Sequence, residues 1–342
     1  MILDGTAAQS IASGAALIRD GSLLGLPTET VYGLAADADN ADAVGQIFKA
    51  KGRPADHPLI VHVLDATGVD HFARDVPHFA RALIAAFWPG PLTLILPRRD
   101  GVAAASAGGQ NSIGLRSPSH PVARALLKAC LDASGGQVVW GVAAPSANQF
   151  GRVSPTTAAH VHSEFGDAVT VLDGGPCAVG IESTIIDCTR GVPVLLRPGA
   201  ITPEQVQAVC GLAVRTKESL DDEAAPAPRA SGTLESHYAP RAKVRLMDAK
   251  ALQSALDLLG ADIDGAQSDK PVIATYSRGV LKTKSAKVMR KAMPTDAPSA
   301  AYQLFADLRA MDDAGVQLIW IETPPPDSAW DGVRDRLQRA AS

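Results

Sequence analysis

For about 210 residues, short β-rich runs alternate with capped helical segments, a pattern that commits a chain to a sheet flanked by helices. The expected strands are residues 22–26, 59–63, 92–96, 112–115, 138–142, 169–172, 183–187 and 194–196, with helices between most of them, 41–50 among these. Helix starts are legible at Ser154 before Pro155, at Ser119-His120 before Pro121, and at Thr202-Pro203 with Gln205 completing a capping box. Connections such as Trp88-Pro89-Gly90-Pro91 are too irregular for a purely parallel sheet, so a twisted, mixed sheet is expected.

From Arg215 to Pro240 the periodicity stops, and Asp221-Asp222-Glu223 runs into Ala224-Ala225-Pro226-Ala227-Pro228, the composition of an exposed linker. Beyond it, residues 244–247, 272–276 and 316–321 read as strands and 298–311 and 330–340 as helices, a smaller Rossmann-like α/β unit. That unit holds neither G-x-G-x-x-G nor G-x-x-x-x-G-K-[ST], so no chemistry is assigned to it. At 342 residues the chain exceeds one typical core, which agrees with two domains. The expected divisions are 1–212, a linker at 213–241, and 242–342.

Net charge of −4 removes any global pull toward nucleic acid or an anionic membrane, so binding of phosphate has to be local. The start MILDGTAAQS lacks the features of a signal peptide, and no apolar run is long enough to span a bilayer; a soluble, cytoplasmic protein is expected. Cys130, Cys177, Cys188 and Cys210 form no C-x-x-C pair and read as small hydrophobes rather than a zinc or disulfide framework.

Chemistry concentrates where strands end. Residues 26–34, LPTETVYGL, place Thr28, Glu29, Thr30 and Tyr32 at a strand exit, and Lys51-Gly52-Arg53 offers two cations at the end of the 41–50 helix. Taken singly, those cations complement a helix dipole as readily as a ligand. Ser146 and Asn148 follow the 138–142 strand, Ser154 opens a helix suited to an anion, and Arg116 and Arg197 leave two further strands as planar forks for carboxylate or phosphate. Gly180 to Thr184 adds polar groups beside a glycine turn. His62 interrupts an apolar run, where a lone histidine is more often a satisfied core residue than a ligand. Together these groups point to a small molecule bearing a carboxylate and phosphates.

The ordered segments LPTETVYGL, KGRP with HPLIVHV, WPGPLTLIL, IGLRSPSHP, APSAN, DGGPCAVGIESTIID and LLRPGAIT resemble the threonylcarbamoyl-AMP synthase family, whose YrdC-type domain they cover over about residues 9–205. Its Lys-x-Arg and Ser-x-Asn elements stand here as Lys51/Arg53 and Ser146/Asn148. The tail, with His237-Tyr238-Ala239-Pro240 in the linker, resembles the longer branch of that family. The resemblance implies condensation of L-threonine, bicarbonate and ATP, usually with Mg²⁺, into threonylcarbamoyl-AMP and pyrophosphate. Downstream proteins then transfer the group to a tRNA adenosine. It also implies Lys51 and Arg53 as catalytic residues, and Thr30, His62, Arg116, Ala144 and Ser183 around threonine. Arg53, His57, Ser112, Ser146, Asn148, Ser154, Arg197, Thr233 and His237 fall on the ATP side; no metal ligand is assigned. Ser328-Ala329-Trp330 departs from the glycine-rich turn common in such tails.

The implied reaction asks for cations rather than a covalent nucleophile. A neutral threonine amine captures carbon dioxide or bicarbonate, and the resulting carboxylate approaches an anionic α-phosphate, a repulsion that fixed cations offset. Two other readings stand beside it. One is an RNA-binding or ribosome-maturation module, whose basic, aromatic-studded surface is not visible at 4% aromatic content; stable nucleic-acid binding is not expected. The other is a carbamoyl transferase with a different acceptor.

Overall fold

Every side chain of the strand Gly33–Asp37 is buried, yet neighbours turn to opposite sides, Leu34 and Ala36 into one apolar core and Ala35 into another. That period of two marks a strand covered on both faces. The computed structural model describes residues 1–219, 228–232, 238–264 and 271–342. The chain divides into two units, Met1–Phe150 with Ser154–Thr233, and Gly151–Val153 with Leu234–Ser342.

The first unit contains β1 (Ile2–Asp4), β2 (Leu24–Leu26), β3 (Gly33–Asp37), β4 (Ile60–His62), β5 (Leu92–Pro97), β6 (Ser112–Arg116), β7 (Val142–Ala143), β8 (Thr170–Asp173), β9 (Thr184–Asp187), β10 (Val194–Arg197) and β11 (Arg215–Thr216). They pair in the order β1-β8-β2-β3-β7-β4-β6-β5-β9-β10-β11. Parallel pairs such as β4–β6 and β5–β9 alternate with antiparallel ones such as β2–β3 and β5–β6, the mixed sheet that the irregular connections imply. Its helices are α1 (Ala8–Arg19), α2 (Ala41–Lys51), α3 (Ala66–Phe72), α4 (His78–Phe87), α5 (Pro121–Leu131), α6 (Ala158–Phe165) and α7 (Pro203–Cys210).

One core packs Ala15 and Ile18 of α1 and Val122, Leu126 and Leu127 of α5 against Leu24, Leu26 and Leu172. The other sets Val44 and Ile47 of α2, Phe72 of α3 and Leu83 of α4 against Leu34, Val61, Leu94, Leu115 and Ile186. Each fully buried Leu or Ile contributes about 1.5–3 kcal/mol relative to its exposed state. Helix starts follow local chemistry. His120 caps α5, its Nδ1 accepting from the Val122 amide at 3.2 Å, and Thr202 with Gln205 closes the capping box of α7.

Three expectations for this unit need correction. The strand expected over 138–142 shrinks to β7, because Val139 joins a core without entering a ladder. Ser154 does not start a helix: α6 begins at Ala158, capped by Thr157, whose hydroxyl accepts from the His160 amide at 3.2 Å. β3 was not expected, since GLAAD carries no β-branched residue, and its strand character comes from its two neighbours in the sheet.

The second unit is a parallel sheet in the order β12-β15-β13-β14, built from β12 (Lys243–Met247), β13 (Ile273–Ser277), β14 (Val288–Ala292) and β15 (Leu318–Glu322). Helices α8 (Ala249–Asp264), α9 (Ala297–Asp313) and α10 (Asp331–Ala340) accompany it. Leu252 and Leu256 of α8 pack against Ile273, Val288 and Trp320. At the carboxyl ends of β13 and β15, Glu322 accepts from the Ser277 hydroxyl at 2.7 Å and the Arg278 amide at 2.8 Å. Sequence periodicity missed α8 and the edge strand β14, whose VMRKA has a single buried residue, Val288, and two adjacent cations, Arg290 and Lys291. Among the described residues, no helix is long and apolar enough to cross a membrane.

Candidate active site

Between β2 and β3 the chain makes a wholly buried turn, residues 27–32, whose polar groups bond to one another before any ligand is considered. Thr28 donates its hydroxyl to the Val31 carbonyl at 2.6 Å and lies 2.9 Å from the Thr30 hydroxyl. Arg116, at the end of β6, donates to Thr30 Oγ1 at 2.7 Å and pairs with Glu29 at 2.8 Å, and Glu29 also accepts from the Ser119 amide. Burial alone would raise the Glu29 carboxyl, but the Arg116 guanidinium outweighs it and holds the group below the usual carboxylate range. Tyr32 secures the base of the turn by donating to the Gly175 carbonyl at 2.8 Å.

His62 lies opposite Arg116 in the parallel register of β4 and β6, and opposite Val142 on β7. Burial and then the Arg116 charge push its imidazole down to about 3, so it is neutral at physiological pH. Its Nδ1 has no hydrogen-bond partner among the described residues. Ala144 donates its amide to the Ile60 carbonyl at 3.0 Å, which sets it at the neighbouring strand end. A Cβ at Gly33 would stand 2.9 Å from that of Ala144, so only glycine lets β3 pass this point.

Arg53 and Arg197 form a second group. Arg197 donates Nε to the Ser183 carbonyl at 3.0 Å, one terminal nitrogen to Ser183 Oγ at 3.1 Å and the other to the Ser231 carbonyl at 2.9 Å. Arg53 reaches Ser231 Oγ at 3.3 Å and the Pro58 carbonyl at 3.1 Å. Ser183 Oγ also lies 2.7 Å from Thr93 Oγ1. Ser231 belongs to the stretch expected as an exposed linker. Instead Arg229 pairs with Asp56 at 2.6 Å, its amide donates to Gln110 at 2.8 Å, and Ser231 is buried between two arginines.

The loop from Gly180 to Ser183 joins the groups: the Gly180 amide donates to the Thr30 carbonyl at 3.2 Å, Glu182 accepts from Ser154 Oγ at 2.5 Å, and Ser183 meets Arg197. Lys51 stands at the end of α2, where Gly52 turns with φ of 64°. Its ammonium is buried and donates to the Ser146 carbonyl at 2.5 Å and to the Asn148 carbonyl. Burial, then Arg53, lowers it to about 7. Asn148 donates Nδ2 to the Gln149 carbonyl at 2.8 Å. His57 is half-buried at 5.8 Å from the Phe150 ring, its imidazole lowered by burial and then by Arg53. Ser112 lies at the start of β6, roughly 13 Å from Arg116 at the rise of an extended strand. Thr233 and His237 lie outside the described residues.

Thus Thr30, Arg116, Ser183, Arg197, Arg53 and Ser154 share one connected set of polar contacts, and Ser112, expected on the ATP side, lies two residues beyond Gln110, whose side chain accepts from the Arg229 amide. Thr93 and Ser231 enter that set without having been singled out, and Glu182 enters it from residues 180–184, read as polar. The signal for Ser231 was faint, an Arg-Ala-Ser-Gly step at the end of an Ala/Pro run.

A mixed α/β sheet with buried arginines and hydroxyls gathered at its strand ends, and a lysine at the end of α2, defines an α/β protein with its candidate ligand site at the strand ends. The chain belongs to the Sua5/YciO/YrdC family, whose model, described as "Telomere recombination", matches residues 16–199; a second model, the threonylcarbamoyl-AMP synthase C-terminal domain, matches 201–342. It is 37% identical to the threonylcarbamoyl-AMP synthase of Bacillus subtilis over 97% of this chain and 92% of that one. To the Pyrococcus abyssi enzyme of the same name it is 35% identical, over 96% and 92%. The crystal structure of P. abyssi Sua5 complexed with L-threonine superposes with a TM-score of 0.86 at 33% identity, covering 100% of this chain and 97% of that one.

Proposed function

We propose that this protein is an L-threonylcarbamoyladenylate synthase, joining L-threonine, bicarbonate and ATP into threonylcarbamoyl-AMP with release of pyrophosphate. The observation that carries this reading is the Gly180–Ser183 loop, which bonds on one side to Thr30 and on the other to Arg197. An amino acid beside Thr30 and Arg116 therefore lies next to a nucleotide beside Arg53 and Arg197. The names of the long relatives and the threonine complex of P. abyssi Sua5 support the same substrates.

Arg116 receives the threonine carboxylate, a role that its bonds to Glu29 and Thr30 orient in advance. Neutral His62 and the Thr30 hydroxyl face the substrate hydroxyl, and Ala144 borders the methyl. The neutral amine adds to carbon dioxide with loss of a proton, or to bicarbonate with loss of water, to give an N-carboxylate; an oxygen of that carboxylate then attacks the α-phosphorus of ATP and the bond to pyrophosphate breaks. Arg53 and Arg197 act on the charge that builds on the phosphates, with Ser146, Asn148 and Ser154 around the nucleotide. Preference for threonine over serine rests on one methyl, worth about 1–3 kcal/mol. Among the described residues, no three His, Cys, Asp or Glu side chains come together as metal ligands. Mg²⁺ would arrive bound to the triphosphate of ATP. The reading carries with it a cytoplasmic location and downstream proteins that consume the product on tRNA.

The test is pyrophosphate release from ATP with bicarbonate present. Release should depend on L-threonine, and Arg53→Ala should abolish it with the melting temperature little changed. Threonine-independent release would leave the reading without support.

A further inference from the structure

Residues 271–295 contain no Asp or Glu and six cations, Arg278, Lys282, Lys284, Lys287, Arg290 and Lys291, in a chain whose net charge is −4. Two of the six are engaged with acids: Arg278 with Glu322, and Lys291 with Asp307 at 2.9 Å. Lys282, Lys284, Lys287 and Arg290 have no acidic partner among the described residues. Lys282, Lys284 and Arg290 are exposed and Lys287 is half-buried.

The segment that bears them is held in place. Leu281 and Ser285 are buried on either side of Lys282 and Lys284. Gln253 of α8 clasps the Lys282 backbone in both directions, donating to its carbonyl at 2.9 Å and accepting from its amide at 2.8 Å. Ser285 Oγ accepts from the Lys287 amide at 3.1 Å, and the Lys287 carbonyl accepts from Val272 at 2.8 Å. Cations carried on a backbone held in this way lose less freedom on binding than cations on a mobile one.

Cations on an edge strand discourage pairing between chains, and β14 is the edge of its sheet. That accounts for Arg290 and Lys291. It does not account for Lys282, Lys284 and Lys287, which precede the strand. Nor does the stretch suit a protein partner, since its exposed apolar side chains are Val280, Ala286 and Ala292, whereas protein interfaces centre on large anchors and are poor in lysine. A run of exposed lysines flanking Thr283, with no carboxylate among them, matches a chain of phosphates.

We infer that the segment from Lys282 to Arg290 is a docking surface for the phosphodiester backbone of a nucleic acid. This goes beyond the synthase reading and does not depend on it, because the surface uses no residue of the candidate active site.

The experiment is fluorescence anisotropy of the full chain with a tRNA transcript, a DNA hairpin of equal length and polyglutamate, across about 50–200 mM salt. Nucleic acid should bind, with a log–log salt slope of about −3 to −4 for four contacts. K282E/K284E/K287E should weaken binding at least about tenfold and flatten that slope, with threonine-dependent pyrophosphate release unchanged. Should that variant misfold, the serine version K282S/K284S/K287S serves, with a smaller loss in the same direction. Equal binding of tRNA and DNA identifies the backbone alone as the ligand, and tighter tRNA binding adds recognition of RNA shape or the 2′-hydroxyl; both support the proposal. Parent-like binding by the lysine variants, no binding of either nucleic acid, or preference for polyglutamate would overturn it.

Discussion

Arg116 and Glu29 show how one pair serves folding and recognition together. Their side chains are 4% and 8% exposed, so truncating Arg116 to Ala leaves a carboxylate buried without its cation, a loss of about 3–5 kcal/mol. Adding Glu29→Gln should recover most of that stability in urea titrations while threonine turnover stays low. Recovery of both would mean that Arg116 has no direct part in binding. Lys51 leads to a different expectation. Its folded value of about 7 lies below the 10.5 of a solvated lysine, so between those values the unfolded chain holds the extra proton. Stability from this site is least below pH 7 and rises as pH climbs through the window. Lys51→Met should therefore show a flatter rise in urea midpoint between pH 7 and 10 than the parent.

At this scale the sequence disclosed residue types and left side-chain directions open. Lysine and arginine two apart beyond a helix suggested two groups aimed at one ligand. In the structure Lys51 turns to the carbonyls of Ser146 and Asn148, while Arg53 turns to Pro58 and Ser231. The difference arises because Lys51 is the last residue of α2 and Gly52 reverses the chain before Arg53.

Among elements, legibility followed side-chain chemistry. Runs rich in Ile, Leu and Val, such as those of β4, β5, β9 and β10, were found within a residue or two, and the caps of α5 and α7 were read from His120-Pro121 and Thr202-Pro203. Elements made by tertiary context, β3 and β7, were missed or overextended. The cap of α2 offers a measurement. Asn40 Oδ1 accepts from the Asp42 and Ala43 amides, both at 3.1 Å, so Asn40→Ala should cost about 1 kcal/mol. Because α2 delivers Lys51 and Arg53, the same change should lower turnover further as temperature approaches the melting point. Activity that survives while α2 frays, seen by hydrogen exchange, would show that the helix does not set the site.

For the whole first unit, the sheet order carries the main consequence. β1 pairs with β8 in register from Ile2 with Val171, and β5 pairs with β9 from Leu92 with Thr184, so the sheet closes only after distant segments meet. Topologies dominated by such pairings fold slowly, in the range of milliseconds to seconds. Threonine-dependent turnover should recover in refolding experiments no earlier than the slowest folding phase, since Thr30, Arg116 and Ser183 come from segments far apart in the chain. Recovery ahead of that phase would mean that the site assembles without the sheet. The mixed α/β class was readable from alternating runs and turns, but strand order was not, because period-two patterns say which face is buried and nothing about which neighbour lies alongside.

The guanidinium of Arg116 is already tied to a carboxylate and a hydroxyl, which bears on any attempt at redesign. Exchanging the arginine alone to admit an amine without a carboxylate would strand Glu29 in the protein interior. A useful library would vary positions 29, 30 and 116 jointly, treating them as one inherited unit.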